Sequence, residues 1–203
     1  MTRTPLILTA LLLAASAAVA TAAELHIELD PEATSISFTL GATLHTVEGR
    51  VSLASGSLDL DPESGAVSGE IVVDATSADT GNDSRDEDMH TKVLMSDTYP
   101  RIVVRPERLA GEVAEQGTSQ VKLTGRMELA GTSHEITVPL DVTVDGDSFS
   151  ATAEFTVPYV EWGLEDPSKF LLRVDKVVDV TVETEGTIVG ADPQQPASQP
   201  DLD

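Results

Sequence analysis

The sequence predicts an all-β protein: an antiparallel barrel or sandwich of about eight strands, with one or two short helices. Two observations lead there. Apolar and polar residues alternate with period two through eight or nine segments. Clusters of Gly, Pro, Asp and Ser punctuate those segments at regular spacing. Closure into a barrel accounts for the pattern best, because antiparallel edges must be paired or covered and closure does this most completely.

The segments follow in order. Ile36, Phe38 and Leu40 share one face of the first. Val51 and Leu53 come after His45 and Gly49, and Leu58 and Leu60 precede the turn Asp61-Pro62-Glu63-Ser64-Gly65. Val67, Gly69, Ile71 and Val73 form the next face. Ile102 and Val104 restart the sheet after Tyr99-Pro100. Val121, Leu123, Gly125, Met127 and Leu129 make a long strand closed by Ala130-Gly131-Thr132. Ile136 to Val144 makes another, ending in the hairpin turn Asp145-Gly146-Asp147. Phe149, Ala151, Ala153, Phe155 and Val157 answer it, and Val178, Val180 and Val182 complete the set. Gly69, Gly125, Ala151 and Ala153 are small. Either they leave room inside an eight-stranded barrel for one ligand, or they mark bends and bulges.

Two helices are expected. Asn82 or Asp83 caps the first, with Asp86 and Glu87 in its first turn and Lys92 near its end. Met89 and Val93, four apart, share a face toward the barrel. Asp166-Pro167 predicts a second helix running through Ser168 to Leu172.

Three regions are expected along the 203 residues. Residues 1–23 read as a secretory signal peptide: Arg3, the apolar run Leu6 to Leu13, then a small-residue site at Ala18-Val19-Ala20 or Thr21-Ala22-Ala23. The apolar run is shorter than the roughly 20 residues of a membrane span, so no stable membrane anchor is expected. Residues 24–190 form the barrel, and residues 191–203 an acidic Pro- and Gln-rich disordered tail. The chain has no Cys, so neither a disulfide nor a lipidated N-terminal Cys can form. The expected location is periplasmic or secreted.

Composition narrows function. Acidic residues number 35 against 12 basic, giving a net charge of -23. Such a field repels nucleic acid and anionic headgroups. Asp79-Thr80-Gly81 has the triplet of aspartic proteases, but those need two carboxylates sharing a proton and only one copy is present. Asp79 is therefore read as structural, at the corner between strand and helix. His26, His45, His90 and His134 lie 19, 45 and 44 residues apart, without the short paired spacing of zinc ligands. Asp59, Asp61 and Glu63 alternate, but Ser64 stands where a calcium loop needs Gly, so this is a solvated hairpin. No catalytic residue, metal ligand or cofactor is assigned.

One stretch is more specific than the strands. Asp74-Ala75-Thr76-Ser77-Ala78-Asp79-Thr80 leads to Arg85-Asp86, His90 and Tyr99-Pro100. Around it stand Ser35-Ile36-Ser37-Phe38 with His45 and Gly49, Leu123-Thr124-Gly125 with Leu129 to His134, and Asp179-Val180-Thr181-Val182-Glu183. From about Leu25 to Ile188 the chain resembles the YceI family, lipocalin-like periplasmic proteins that bind polyisoprenoid lipids. The resemblance implies an antiparallel lipocalin-like barrel whose apolar tunnel holds a polyprenyl or quinone-type lipid, with no established catalysis.

The alternation then assigns Phe38, Leu40, Ile71, Val73, Val121, Leu123, Ile136 and Val138 to a ligand-binding interior. Val72 and Val103 compete for the inward face. His45, Met89, Trp162 and Phe170 are candidates for the mouth or a lid. Trp162 to Leu172 either caps one mouth or packs as a surface loop. The expected function is a binding protein for an apolar lipid. Its rivals are a hydrolase with dispersed catalytic residues and a ligand-free stress-protective or interaction module. The sequence favours no oligomeric state.

Overall fold

The computed structural model describes residues 24–43, 45–168 and 173–190. The expected signal peptide, the C-terminal tail and Phe170 lie outside the described residues. Nine strands form one antiparallel sheet: β1 (Leu25–Leu29), β2 (Ser35–Leu40), β3 (Val47–Leu60), β4 (Val67–Asp79), β5 (Arg101–Ala110), β6 (Gly117–Leu129), β7 (Thr132–Asp145), β8 (Ser148–Val157) and β9 (Val178–Gly190). From β3 to β9 each strand pairs with the next. β1 and β2 both lie between β9 and β3, end to end in one slot. Nine strands thus make an eight-position closed barrel, with no unpaired edge left among these strands.

The slot is split by Asp30-Pro31-Glu32-Ala33-Thr34. The Glu32 amide donates to Asp30 Oδ1 at 2.8 Å, and the Thr34 hydroxyl donates to the Asp30 carbonyl at 2.6 Å. Pro31 cannot donate to a ladder, so a turn replaces two or three sheet bonds there. At the Asp61 hairpin, the Asp61 carboxylate accepts from the Ser64 hydroxyl at 2.5 Å and the Glu63 amide at 2.9 Å. The Ser64 hydroxyl, then the Glu63 amide, hold that carboxyl below its usual range. The carboxylate is spent on the turn, as a solvated hairpin requires.

One end of the barrel is sealed by its own side chains. Leu58, Leu60 and Val67 are buried together, with Leu25, Ile27, Leu109 and Leu123 against them. Gly69, next to this cluster, has φ of 102°, and a Cβ there would stand 2.2 Å from the Ser57 carbonyl oxygen. It serves a bend rather than making interior room. Val72 and Val103, paired across β4 and β5, are buried although their neighbours Ile71, Val73, Ile102 and Val104 point inward. They lie on the outer face, flanked by Glu70, Arg101, Arg105 and Glu128. Arg105 bridges Glu70 at 3.4 Å and Glu128 at 3.3 Å, and Arg101 reaches Glu70 at 3.3 Å. The guanidinium heads of these pairs stay about half exposed, and long arginine stems of this kind can cover apolar surface while their heads remain in water.

The first helix, α1 (Asp83–Asp88), forms as expected and runs on into a π-helical turn over Met89–Val93. The second does not begin at Pro167. The Asp166 carboxylate accepts the Ser168 amide at 2.9 Å, closing a turn, and Pro167 and Ser168 are irregular. Residues 169–172 of that expected helix lie outside the described residues.

His26 on β1 stands opposite Asp59 on β3 and bonds it through Nδ1 at 2.7 Å, with Nε2 on Glu28 at 2.8 Å. The Asp59 bond first, then Glu28, raises the imidazole above its ordinary value. A raised value means that the stabilisation is complete below the unfolded value and is lost as pH rises through the folded one. His26→Gln is therefore expected to lower the thermal midpoint more at about pH 5 than at about pH 8.5. Equal losses at both would refute the ion-pair assignment.

Candidate functional site

Inside the barrel lies a cavity of about 540 Å³. All nine strands contribute to its wall, β1 through Leu29 alone, and mostly with Val, Ile, Leu and Phe. Of the residues assigned to the interior, Phe38, Leu40, Ile71, Val73, Leu123, Ile136 and Val138 are placed along this wall. Val121 is buried, opposite Leu140 and nearer the sealed end, and is not part of it. The wall also includes Ile36, Val51, Leu53, Ile102, Val104, Phe155 and Val180, which the same alternation carried. Gly125 and Ala153 border the cavity too. A Cβ on Gly125 would stand 2.4 Å from the Arg105 carbonyl oxygen, beside the register shift at Pro106. Gly125 therefore serves a bulge and the lumen at once.

Polar groups gather at the other end. Thr80, Asn82, Ser84, Arg85, Asp88 and Met89 border the cavity from the β4 corner and α1, His45 and Ala42 from the β2–β3 connection, and Pro167 and Val174 from a third segment. His45 and Met89 thus sit at the mouth. Trp162 does not border the cavity. Its ring lies on His134, centroids 4.3 Å apart and planes within 1°, within a turn anchored by buried Tyr159 and Leu164. This places it in a packed turn, while His134 Nε2 is buried with no hydrogen-bond partner among the described residues.

The mouth is held by the β4 corner. Asn82 caps α1, its Oδ1 accepting from the Arg85 amide at 3.1 Å. The Thr80 amide and hydroxyl both donate to Asp86 Oδ1, at 3.0 and 2.5 Å. Arg85 donates from Nε to the Thr80 hydroxyl at 2.7 Å and from Nη2 to the Thr80 carbonyl at 2.9 Å. Asp79 accepts from the Gly81 amide at 2.7 Å and from Arg50 at 3.1 Å. The Gly81 amide first, then Arg50, hold its carboxyl below the usual range. His90 Nε2 donates to the Ala78 carbonyl at 2.9 Å, which leaves Nδ1 to accept from the Ser96 hydroxyl at 2.9 Å. Strand end and helix are stapled to each other, and Met89 and Val93 are thereby turned onto the cavity. Within the helix Lys92 pairs with Asp88, whose hydrogen bond, with the fields of Glu165 and Glu87 behind it, raises the lysine. Among the described residues no cluster of three His, Asp or Glu side chains is arranged to hold a metal.

A closed antiparallel barrel around an apolar lumen, sealed at one end and polar at the other, is an architecture of the lipocalin-like kind. The model of the YceI-like domain matches residues 28–186, and the chain belongs to that family. Solved structures share the fold at low identity. Burkholderia cenocepacia BcnA has a TM-score of 0.66 at 18% identity, covering 78% of this chain and 99% of that one. A polyisoprenoid-binding domain from Saccharophagus degradans, implicated in plant cell wall breakdown, has 0.62 at 18%, covering 83% and 99%. The Campylobacter jejuni YceI protein has 0.55 at 16%, covering 71% and 86%. No curated protein matches the chain significantly. Among the described residues no helix is long and apolar enough to cross a membrane.

Two outcomes are expected. Asn82→Ala, which removes the cap, should cost about 0.5 to 2 kcal/mol in denaturant unfolding; a cost of zero would show that the corner bonds alone fix the helix. Tyr159 donates its hydroxyl to the Asp175 carbonyl at 2.8 Å, and burial, with Asp166 and Asp175 adding, pushes it up to about 12. The unfolded phenol ionises first, so stability should fall as pH rises from about 10 toward 12. Tyr159→Phe should flatten that decline, read by alkaline unfolding followed through tyrosinate absorbance.

Proposed function

We propose that this chain is an exported, periplasmic or secreted carrier that holds a long apolar lipid of isoprenoid type in the barrel. The observation that carries the proposal is the apolar cavity of about 540 Å³ in a closed barrel. Its size falls within the roughly 300 to 1,000 Å³ of small-molecule sites. Membership of the YceI-like family, and the polyisoprenoid-binding domain among structures of this fold, support the choice of ligand. The signal-like first 23 residues support export.

The chemistry suits such a cargo. An isoprenoid chain offers little to hydrogen-bond, and each buried methylene contributes about 0.8 kcal/mol. Length and dryness suffice to hold it, so the site needs no cofactor and no catalytic group. Asp79, the residue a proteolytic role would use, has its carboxylate engaged by Gly81 and Arg50. A ligand-free module would be expected to fill its barrel, and this lumen is lined without being filled.

Organic extraction of the purified protein followed by mass spectrometry is the direct test, with a long-chain lipid expected. Ile71→Trp should abolish co-purification yet leave the fold intact. Overpacking costs about 1 to 3 kcal/mol only where the space is already occupied. A variant that unfolds, with no lipid from the wild type, would mean a solid barrel and the end of the carrier reading.

A further inference from the structure

The sealed end fixes how deep a guest can reach. Leu29, Ile71 and Leu123 border the cavity and also pack on the buried Leu58, Leu60 and Val67. They form its floor. Toward the same end Val121 and Val144 are buried on β6 and β7. On the β8–β9 side the Phe149 ring lies against its pairing partner Gly186, where a Cβ would stand 2.7 Å from Phe149 Cε1. None of Leu58, Leu60, Val67, Val121, Val144 and Phe149 borders the cavity. Leu29 also borders a surface cleft of about 340 Å³, but Glu28, Asp30 and Glu185 line that cleft, and a prenyl tail gains no apolar continuation there.

Depth and volume give the same length. On β6 the cavity wall runs from Leu123 to Leu129. Six steps of roughly 3.4 Å, tilted about 40° to the barrel axis, make a depth of about 16 Å. An isoprene unit, four carbon–carbon bonds of roughly 1.5 Å in zigzag, spans about 5 Å, so the depth takes about three units. The volume of about 540 Å³ holds about 18 carbon-sized groups at roughly 30 Å³ each, the share of a water molecule in the liquid. That is between three and four units. Carbons beyond this number stand outside the lumen, and each methylene left in water forfeits a factor of about four in affinity.

Resting on the lipid-carrier reading, we infer that the cavity selects isoprenoids by length: it takes a chain of about three or four units whole and leaves the remainder of a longer one outside. Leu29, Ile71 and Leu123, with the plug they rest on, are the specificity determinants, because they set where the tail stops.

The test equilibrates the full chain with phosphatidylcholine vesicles carrying farnesol, geranylgeraniol or solanesol, prenyl alcohols of three, four and nine units. Mass spectrometry then measures the alcohol that travels with the protein once the vesicles are removed. The head is the same in all three. A chain that fits trades one apolar surrounding for another, whereas an overhanging one trades lipid for water. Farnesol and geranylgeraniol should therefore be captured within about threefold of each other, and solanesol at least about a hundredfold more weakly. The double variant Leu58→Ala/Leu123→Ala lowers the floor by about one unit, and the discrimination against solanesol should shrink on the order of tenfold. Solanesol captured by the wild type as well as geranylgeraniol overturns the inference and leaves the carrier reading standing. A variant that keeps its circular dichroism but discriminates as the wild type does overturns the assignment of the floor. If the variant does not fold, the wild-type series decides alone. Capture of none of the three alcohols overturns the carrier reading, and the inference falls with it.

Discussion

Hydrogen bonding fixes the circumference of this sheet. Eight strand positions, each about 4.8 Å from the next, close on themselves, and the side chains pointing inward are too short to meet across the middle. Val, Ile, Leu and Ala dominate that inner face, with Phe38 and Phe155 as its larger members. Aromatics are 3% of the chain. Scarcity of large rings, which argues against binding by stacking, is also what leaves the lumen open. Where the chain does fill its interior, it does so with Leu58, Leu60 and Val67 at one end, and the result is a blind tunnel.

The open end needs a different solution, because a barrel rim presents unpaired backbone and loops. Here the β4 corner supplies it. Asp86 reaches back to Thr80, Arg85 reaches back to the same residue, and His90 ties the π-helical turn to Ala78. A helix of six residues would be marginal alone. Stapled to the strand, it becomes a rigid side of the mouth and carries Met89 and Val93 as part of the wall. The polar motif that makes the sequence recognisable is thus structural in its bonds, and it positions one side of the cavity.

Much of this was legible from residues alone, and the exceptions have causes. Strict alternation on β6 and β7 gave the inward face of Leu123, Ile136 and Val138, because one register puts every apolar residue on one side. The Asn82 cap followed from local chemistry. Alternation carries no height along the barrel axis, so it could not separate Val121, near the sealed end, from Leu123 on the cavity wall. It also could not explain Val72 and Val103, apolar and buried on the outer face beside the ion pairs of Glu70 with Arg101 and Arg105. The short β1 was overlooked because five residues offer little periodicity, and its place depends on β9 at the far end of the chain. Asp166-Pro167 carries a helix-start signal and the Asp166 carboxylate accepts the Ser168 amide, yet Pro167 and Ser168 are irregular and residues 169–172 lie outside the described residues. Trp162 invited a lid reading as the chain's lone indole; its stacking on His134 is a contact between loops and strands that sequence spacing does not encode.

The split first slot bears on how the molecule is made. Leu25 pairs with Gly190 and Ser35 with Glu183, so one edge of each opening strand finds its partner only in the last strand. Contacts so distant along the chain carry a large loop-closure entropy and slow the search for the native state. Hairpins such as β6–β7 and β7–β8 form from neighbours, but the ring itself is completed in a final non-local step. Until β9 is available, the two short strands pair with β3 alone and β8 keeps an open edge, so the tunnel does not exist as an enclosed space. The enclosed lumen therefore arrives late and all at once, as a property of the finished ring rather than of any strand within it.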